Sequence, residues 1–367
     1  MLDTLSNNDI LDALAETIDC LGVKEEMPCH DLVSLLHEGD AEGCVQHLAS
    51  RLGLPIRIHL SFVPAGFRPD NAGGFRSSSL VRTDWSGRGR EGITAQVSIP
   101  ERLPLFGSSS LQGYPIHVRV SENCLASPHT FIALMAHELS HVLLACLWSP
   151  HKDSELHTDL VPIILGFRET IRQGRKTFER DIIGNTMTTR TTTYGYLTDE
   201  HFELACTHVD KILADHRRER ERLLDLVTRA RREAEKARWC LLTFRDYFKY
   251  LDDHPPRRMK AKHAQRVVYL HSHDESVAWE SSITALGQAA QSTAAFAEPL
   301  KHYTKAVVES MVVEHKALVA CLDEASHARR LIEKDTRILR KHVGLLHRLK
   351  RCLAGRHTKS NQPTDGA

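Results

Sequence analysis

Hydrophobic positions recur at helical spacing from the start of the chain. Ile10, Leu11, Leu14, Ile18 and Leu21 predict a helix over residues 8–21. The same period predicts two shorter helices over 31–36 and 41–52, completing a helical lead-in over 1–52. Gly53 and Pro55 break the pattern, and residues 54–63, LPIRIHLSFV, alternate apolar with polar in the manner of a half-buried strand. Residues 64–91 are rich in Gly, Pro, Ser and Arg and predict an irregular loop with one short strand at 79–83. A plain solvated loop accounts for Arg88 and Arg90 better than an anion-binding one. Strands are predicted again over 93–99, closed by Pro100, and over 114–120. The last of these leads through Ser127 and Pro128 into an apolar helix, so its edge is expected to rim a cleft and receive an extended peptide.

That helix, residues 131–148, reads FIALMAHELSHVLLACLW. SPHKDS stops it, and a second helical pattern runs over 154–167 with Pro162 as a candidate kink. Residues 171–193 are polar and threonine-rich and are read as a loop. Thr198 and Asp199 suit the cap of a long helix. Between 215 and 236 that helix is dense in Arg and Glu, with a sparse stripe of Leu223, Leu226, Val227, Ala230 and Ala234. Such a pattern fits a solvated helix or a coiled-coil arm over 211–253. HPPRR at 254–258 marks a boundary, and helical patterns then fill 261–279, 282–296, 298–327 and 328–353, the last two able to run as one.

Composition changes this picture only locally. The 367 residues carry 48 basic and 47 acidic side chains, a formal net charge of +1, so global charge does not argue for nucleic acid. The end of the chain is biased: Arg337, Arg340, Lys341, Arg348, Lys350, Arg351, Arg356 and Lys359 form a basic tail, read as solvated rather than as a nucleic-acid patch. The nine cysteines, an odd number with no CxxC pair, suit free thiols in a reducing compartment. The acidic, amphipathic N-terminus does not resemble a signal peptide, and no unbroken apolar run nears the roughly 20 residues that span a bilayer. A cytoplasmic protein with no membrane partner is the expectation.

The chemistry lies in the apolar helix. His137, Glu138 and His141 form HExxH, and residues four apart share a helix face, so both imidazoles can reach one Zn2+ at about 2.0–2.1 Å. Glu138 points beside the metal, where it can take a proton from a water held there. A hydrolytic zinc site needs a third protein ligand, and WSPHKDSELHTDL offers His151, Asp153, Glu155, His157 and Asp159. Glu155 and Asp159 again lie four apart, so one can bind the metal while the other accepts the outer N–H of a ligand histidine. His157 and Asp159 remain alternatives to Glu155 as the third ligand. Tyr194, Tyr196, His201 and His208 are candidate donors to a developing oxyanion, with Tyr196 preferred because it sits where a loop meets a helix.

HELSH followed by a helix bearing ELHTD resembles the gluzincin branch of the zincin metallopeptidases, although the interval from His141 to Glu155 is shorter than is usual there. The resemblance covers two short motifs and the order of strand and helix before them. It implies His137, His141 and Glu155 as ligands of one Zn2+, Glu138 as general base, and Asp159 as support for a ligand histidine, His137 being favoured. The expected architecture is α+β: a zincin-like domain over 1–210 with a small sheet and the HExxH helix, a long charged helix over 211–253, and an all-α region over 254–367. The expected function is zinc-dependent hydrolysis of a protein or peptide substrate, with the C-terminal helices open to a protein partner. Two other readings compete with it: a silent zincin fold kept for recognition, and a helical interaction protein using its basic end.

Overall fold

The computed structural model describes residues 5–64, 82–83, 95–183, 186–253 and 275–341, by backbone alone at 82–83, 178–191 and 252. Two compact units emerge: residues 1–216 with 301–307, and residues 217–300 with 308–367. The fold is mixed α+β, with small sheets and one long helix.

In the first unit, α1 (Asn7–Leu21) opens with a capping box in which Ser6 and Asp9 satisfy each other's backbone N–H groups. A two-residue strand, β1 (Val23–Lys24), follows, then α2 (His30–His37) and α3 (Ala41–Arg51). The main sheet is built from β2 (Arg57–Val63), β4 (Ala95–Val97) and β5 (Pro115–Ser121), while β3 (Arg82–Thr83) belongs elsewhere. Its order, β2-β5-β4, corrects the expectation of an open edge at 114–120. β5 is the central strand, parallel to β2 from Arg57↔Pro115 to Val63↔Ser121 and antiparallel to β4. The alternation of buried Ile116 and Val118 with exposed His117 revealed which face is buried; it carries no information about how many neighbours share the backbone hydrogen bonds.

From the sheet the chain enters α4 (Pro128–Cys146), with proline in its first turn, where no helical N–H bond is lost. A helix apolar all round must be buried all round, and α4 packs against α2, α3, β4, α5 (Glu155–Ile164) and α6 (Arg168–Gly174). Phe131, Ile132, Met135, Leu139 and Val142 are wholly enclosed. Burying each contributes about 1.5–3 kcal/mol, so the core that stabilises the unit is the helix that carries the motif. Among the described residues α4 is also the one helix long and apolar enough to cross a membrane, yet most of it lies inside the fold.

The threonine-rich stretch read as a loop is instead α6 followed by a hairpin of β6 (Lys176–Ile183) and β7 (Thr186–Thr193), with β3 paired to β7. The hydroxyl makes threonine look polar in a hydropathy reading, but its β-branched side chain favours extended backbone. The strand expected at 79–83 is described only at Arg82–Thr83, and Arg88 and Arg90 lie outside the described residues.

One continuous helix, α7, spans Asp199–Asp253, and the unit boundary falls within it, between 216 and 217. In the second unit its distal part packs with α8 (Glu275–Ala297) and α9 (Lys305–Arg340). The stripe of Leu226, Val227, Ala230 and Ala234 meets Leu286, Ala290, Leu318 and Ala325, and small side chains let the helices approach closely. Farther along, Phe244 stands edge-on to Trp279 with ring centres 5.4 Å apart. Before α9, β8 (His302–Tyr303) returns to the first unit and pairs with β1. The boundary read at 254–258 and the basic tail beyond 341 fall outside the described residues.

α5 ends at Gly166, whose φ of +90° suits glycine and whose Cα faces the Glu25 carbonyl so closely that an added Cβ would lie 2.3 Å from its oxygen. Gly39 has a similar φ of +83° but nothing within 4 Å. Gly166→Ala is therefore expected to cost about 2–4 kcal/mol, from strain plus overpacking, and Gly39→Ala about 1 kcal/mol, from strain alone. Urea unfolding of both variants checks this; equal losses would show that the close approach at Gly166 is immaterial.

Candidate metal centre

The turn after α4 is short: residues 147–154 reverse the chain, with Trp148 in left-handed backbone at φ 52°, and Ser154 caps α5. This tight helical hairpin spans the short interval between His141 and Glu155 and brings the first turn of α5 against α4. His137 and His141 stand four apart on α4, with ring centres 5.0 Å apart. Glu155, the first residue of α5, places Oε2 3.3 Å from His137 Nε2 and 3.4 Å from His141 Nε2. All three atoms lie within 4.8 Å of one another.

What surrounds the rings fixes which nitrogen faces inward. His137 Nδ1 sits 2.7 Å from Asp159 Oδ1, a carboxylate oxygen that can only accept, so Nδ1 carries the proton of the neutral ring, and Nε2 in that form turns a lone pair to the cluster. His141 Nδ1 faces the Lys152 carbonyl at 3.4 Å and Thr158 Oγ1 at 3.3 Å. Thr158 already donates its hydroxyl to Ser154 O, at 2.9 Å, and so accepts from the ring. His141 Nε2 is therefore also a lone pair aimed inward. Two imidazole lone pairs and a carboxylate oxygen confront one another in the interior, and none of the three atoms has a hydrogen-bond partner. Unpaired buried acceptors are costly, and a cation at their centre answers all three. Two nitrogens and one oxygen suit zinc.

The electrostatics agree. Burial works against a charged imidazole at His137, yet the carboxylates of Asp159 and Glu155 outweigh it and hold its pKa up, at about 10. Burial pushes Glu155 the other way, but both histidines pull its carboxyl down to about 2. The pocket favours positive charge, whether proton or metal.

Asp159 does more than orient His137. Its second oxygen accepts the backbone N–H groups of Tyr196 at 2.5 Å and Leu197 at 3.1 Å, pinning the turn between β7 and α7 over the site. Buried Arg175 holds the same turn from its other side: its guanidinium donates to the Leu197 carbonyl at 2.7 Å and lies over the Phe202 ring, 4.5 Å from its centre. The Tyr196 ring consequently stands 6.0 Å from that of His137 and 23° from parallel. An apolar pocket adjoins His137 here, lined by Leu134, Ile163, Arg175, Tyr194 and Leu197.

Glu138 is fully enclosed. His157, weighed as a third ligand, turns instead to Glu16, and among the described residues neither His201 nor His208 enters the cluster. Thr158 and the Lys152 carbonyl were not read from the sequence; the threonine had a signal in its place three residues after Glu155, the carbonyl had none. No known protein family, curated protein or solved structure matches this chain.

Asp159→Asn keeps an oxygen for the Tyr196 turn but loses control of the His137 tautomer. Zinc affinity, measured by competition with a chromophoric chelator, is expected to fall about 10–100-fold. Unchanged affinity would leave Asp159 without that role.

Proposed function

We propose that this chain is a zinc-dependent peptidase whose centre is held by His137, His141 and Glu155. One observation carries the reading: the three buried, unpartnered acceptor atoms that converge between α4 and α5. A zinc ion bound there supplies Lewis acidity, lowering the pKa of water towards about 7 and polarising a substrate carbonyl.

The remaining steps belong to the chain. Glu138, next to His137 on α4, is assigned as the general base that takes the proton of the attacking water and returns it to the leaving amine. Its enclosure keeps the carboxylate from turning out to bulk water. Tyr196 is assigned as donor to the developing oxyanion, because its ring is held beside His137 by the Asp159 clamp on its own backbone N–H. Asp159 positions both the ligand histidine and that tyrosine. The apolar pocket beside His137 is suited to an apolar side chain of the peptide.

Glu138→Gln preserves size and leaves the three ligand atoms untouched. With zinc-loaded protein and a mixed peptide library read by mass spectrometry, wild type is expected to cleave and Glu138→Gln to lose about 10²–10⁴-fold in rate while retaining zinc. Cleavage that survives the substitution, or no cleavage by the wild type, would contradict the assignment.

A further inference from the structure

We infer that Glu16, His151 and His157 form a second divalent-metal site, separate from the centre at His137 and independent of the peptidase reading. His151 Nε2 and His157 Nε2 each lie 3.2 Å from the same carboxylate oxygen, Glu16 Oε2. The two imidazoles stack face to face, 3.9 Å between centres and 8° from parallel, so both Nε2 atoms are presented on one side. The three donor atoms fall within 4.8 Å of one another.

An outer partner sets the buried member of this group, as one does at the first centre. Ser154 Oγ sits 2.8 Å from His157 Nδ1, holding the ring with Nε2 towards Glu16. Two imidazole nitrogens and one carboxylate oxygen are a zinc donor set; calcium and magnesium prefer oxygen throughout. Glu16 is 57% exposed and His151 38%, which leaves coordination positions open to water. An ion here would exchange more readily than one at the enclosed His137 cluster.

The site joins distant parts of the first unit: Glu16 belongs to α1, His151 to the turn after α4, and His157 to α5. His157 is two residues from both Glu155 and Asp159, about 200° round the helix from each. The second ion thus clasps α1 and the turn to α5, the helix that supplies Glu155 and Asp159 to the first centre. Its role is structural.

Calorimetric titration of the chelator-treated full-length protein with ZnCl2 tests this, using wild type, His151→Ala and His137→Ala. His151 is 38% exposed and lies in the turn after α4, outside the apolar core, so its removal leaves that core intact. Wild type is expected to take up two equivalents and each variant one, with the tighter equivalent kept in His151→Ala. If His151→Ala binds as much zinc as wild type, the second site is overturned, and a loss confined to His137→Ala would then leave the first centre standing. If zinc uptake falls in His151→Ala alone, the second site holds and the peptidase reading loses its metal.

Discussion

Three buried polar atoms facing one another, with only a proton or a cation able to reconcile them, are the constraint on which the rest of the site depends. While both rings are neutral, His137 Nε2, His141 Nε2 and Glu155 Oε2 cannot satisfy each other, because the outer nitrogens of both rings are committed elsewhere. An apolar interior magnifies that conflict, because nothing there screens the opposed lone pairs. The fold maintains it by rigidity. α4 is packed on every side, so neither histidine can swing out to water, and the short turn to α5 fixes Glu155 against them. A cation bound there would relieve what the packing imposes.

Asp159 links this centre to the rest of the first unit. One oxygen sets the His137 ring, and the other holds the backbone of Tyr196 and Leu197, so ligand orientation and the placement of the overlying turn are coupled through one side chain. Arg175 secures the opposite side of that turn through the Leu197 carbonyl and the Phe202 ring. The α6 and β6–β7 region, polar and threonine-rich in sequence, provides the frame that brings the turn to α4.

Legibility in the sequence followed the range of the interaction. The i, i+4 pairs His137/His141 and Glu155/Asp159 could be named at once, because helical spacing alone puts each pair on one face. Which of Glu155, His157 and Asp159 faces the histidines could not, since it depends on the rotation of α5 about its own axis, set by packing. The central position of β5 was likewise invisible: side-chain alternation reports a buried face and is silent about backbone neighbours. Threonine misled at 186–193, where β-branching outweighed polarity. Glu16 lies 141 residues before His157, a pairing beyond any local pattern.

Zinc K-edge X-ray absorption on the His151→Ala protein carrying one equivalent of zinc reads the donor set of the first centre itself. A nitrogen and oxygen shell with the multiple-scattering signature of two imidazoles and no sulfur is expected, reduced to one imidazole when His141→Ala is added. A sulfur-containing shell, or an imidazole count that His141→Ala leaves unchanged, would contradict that donor set.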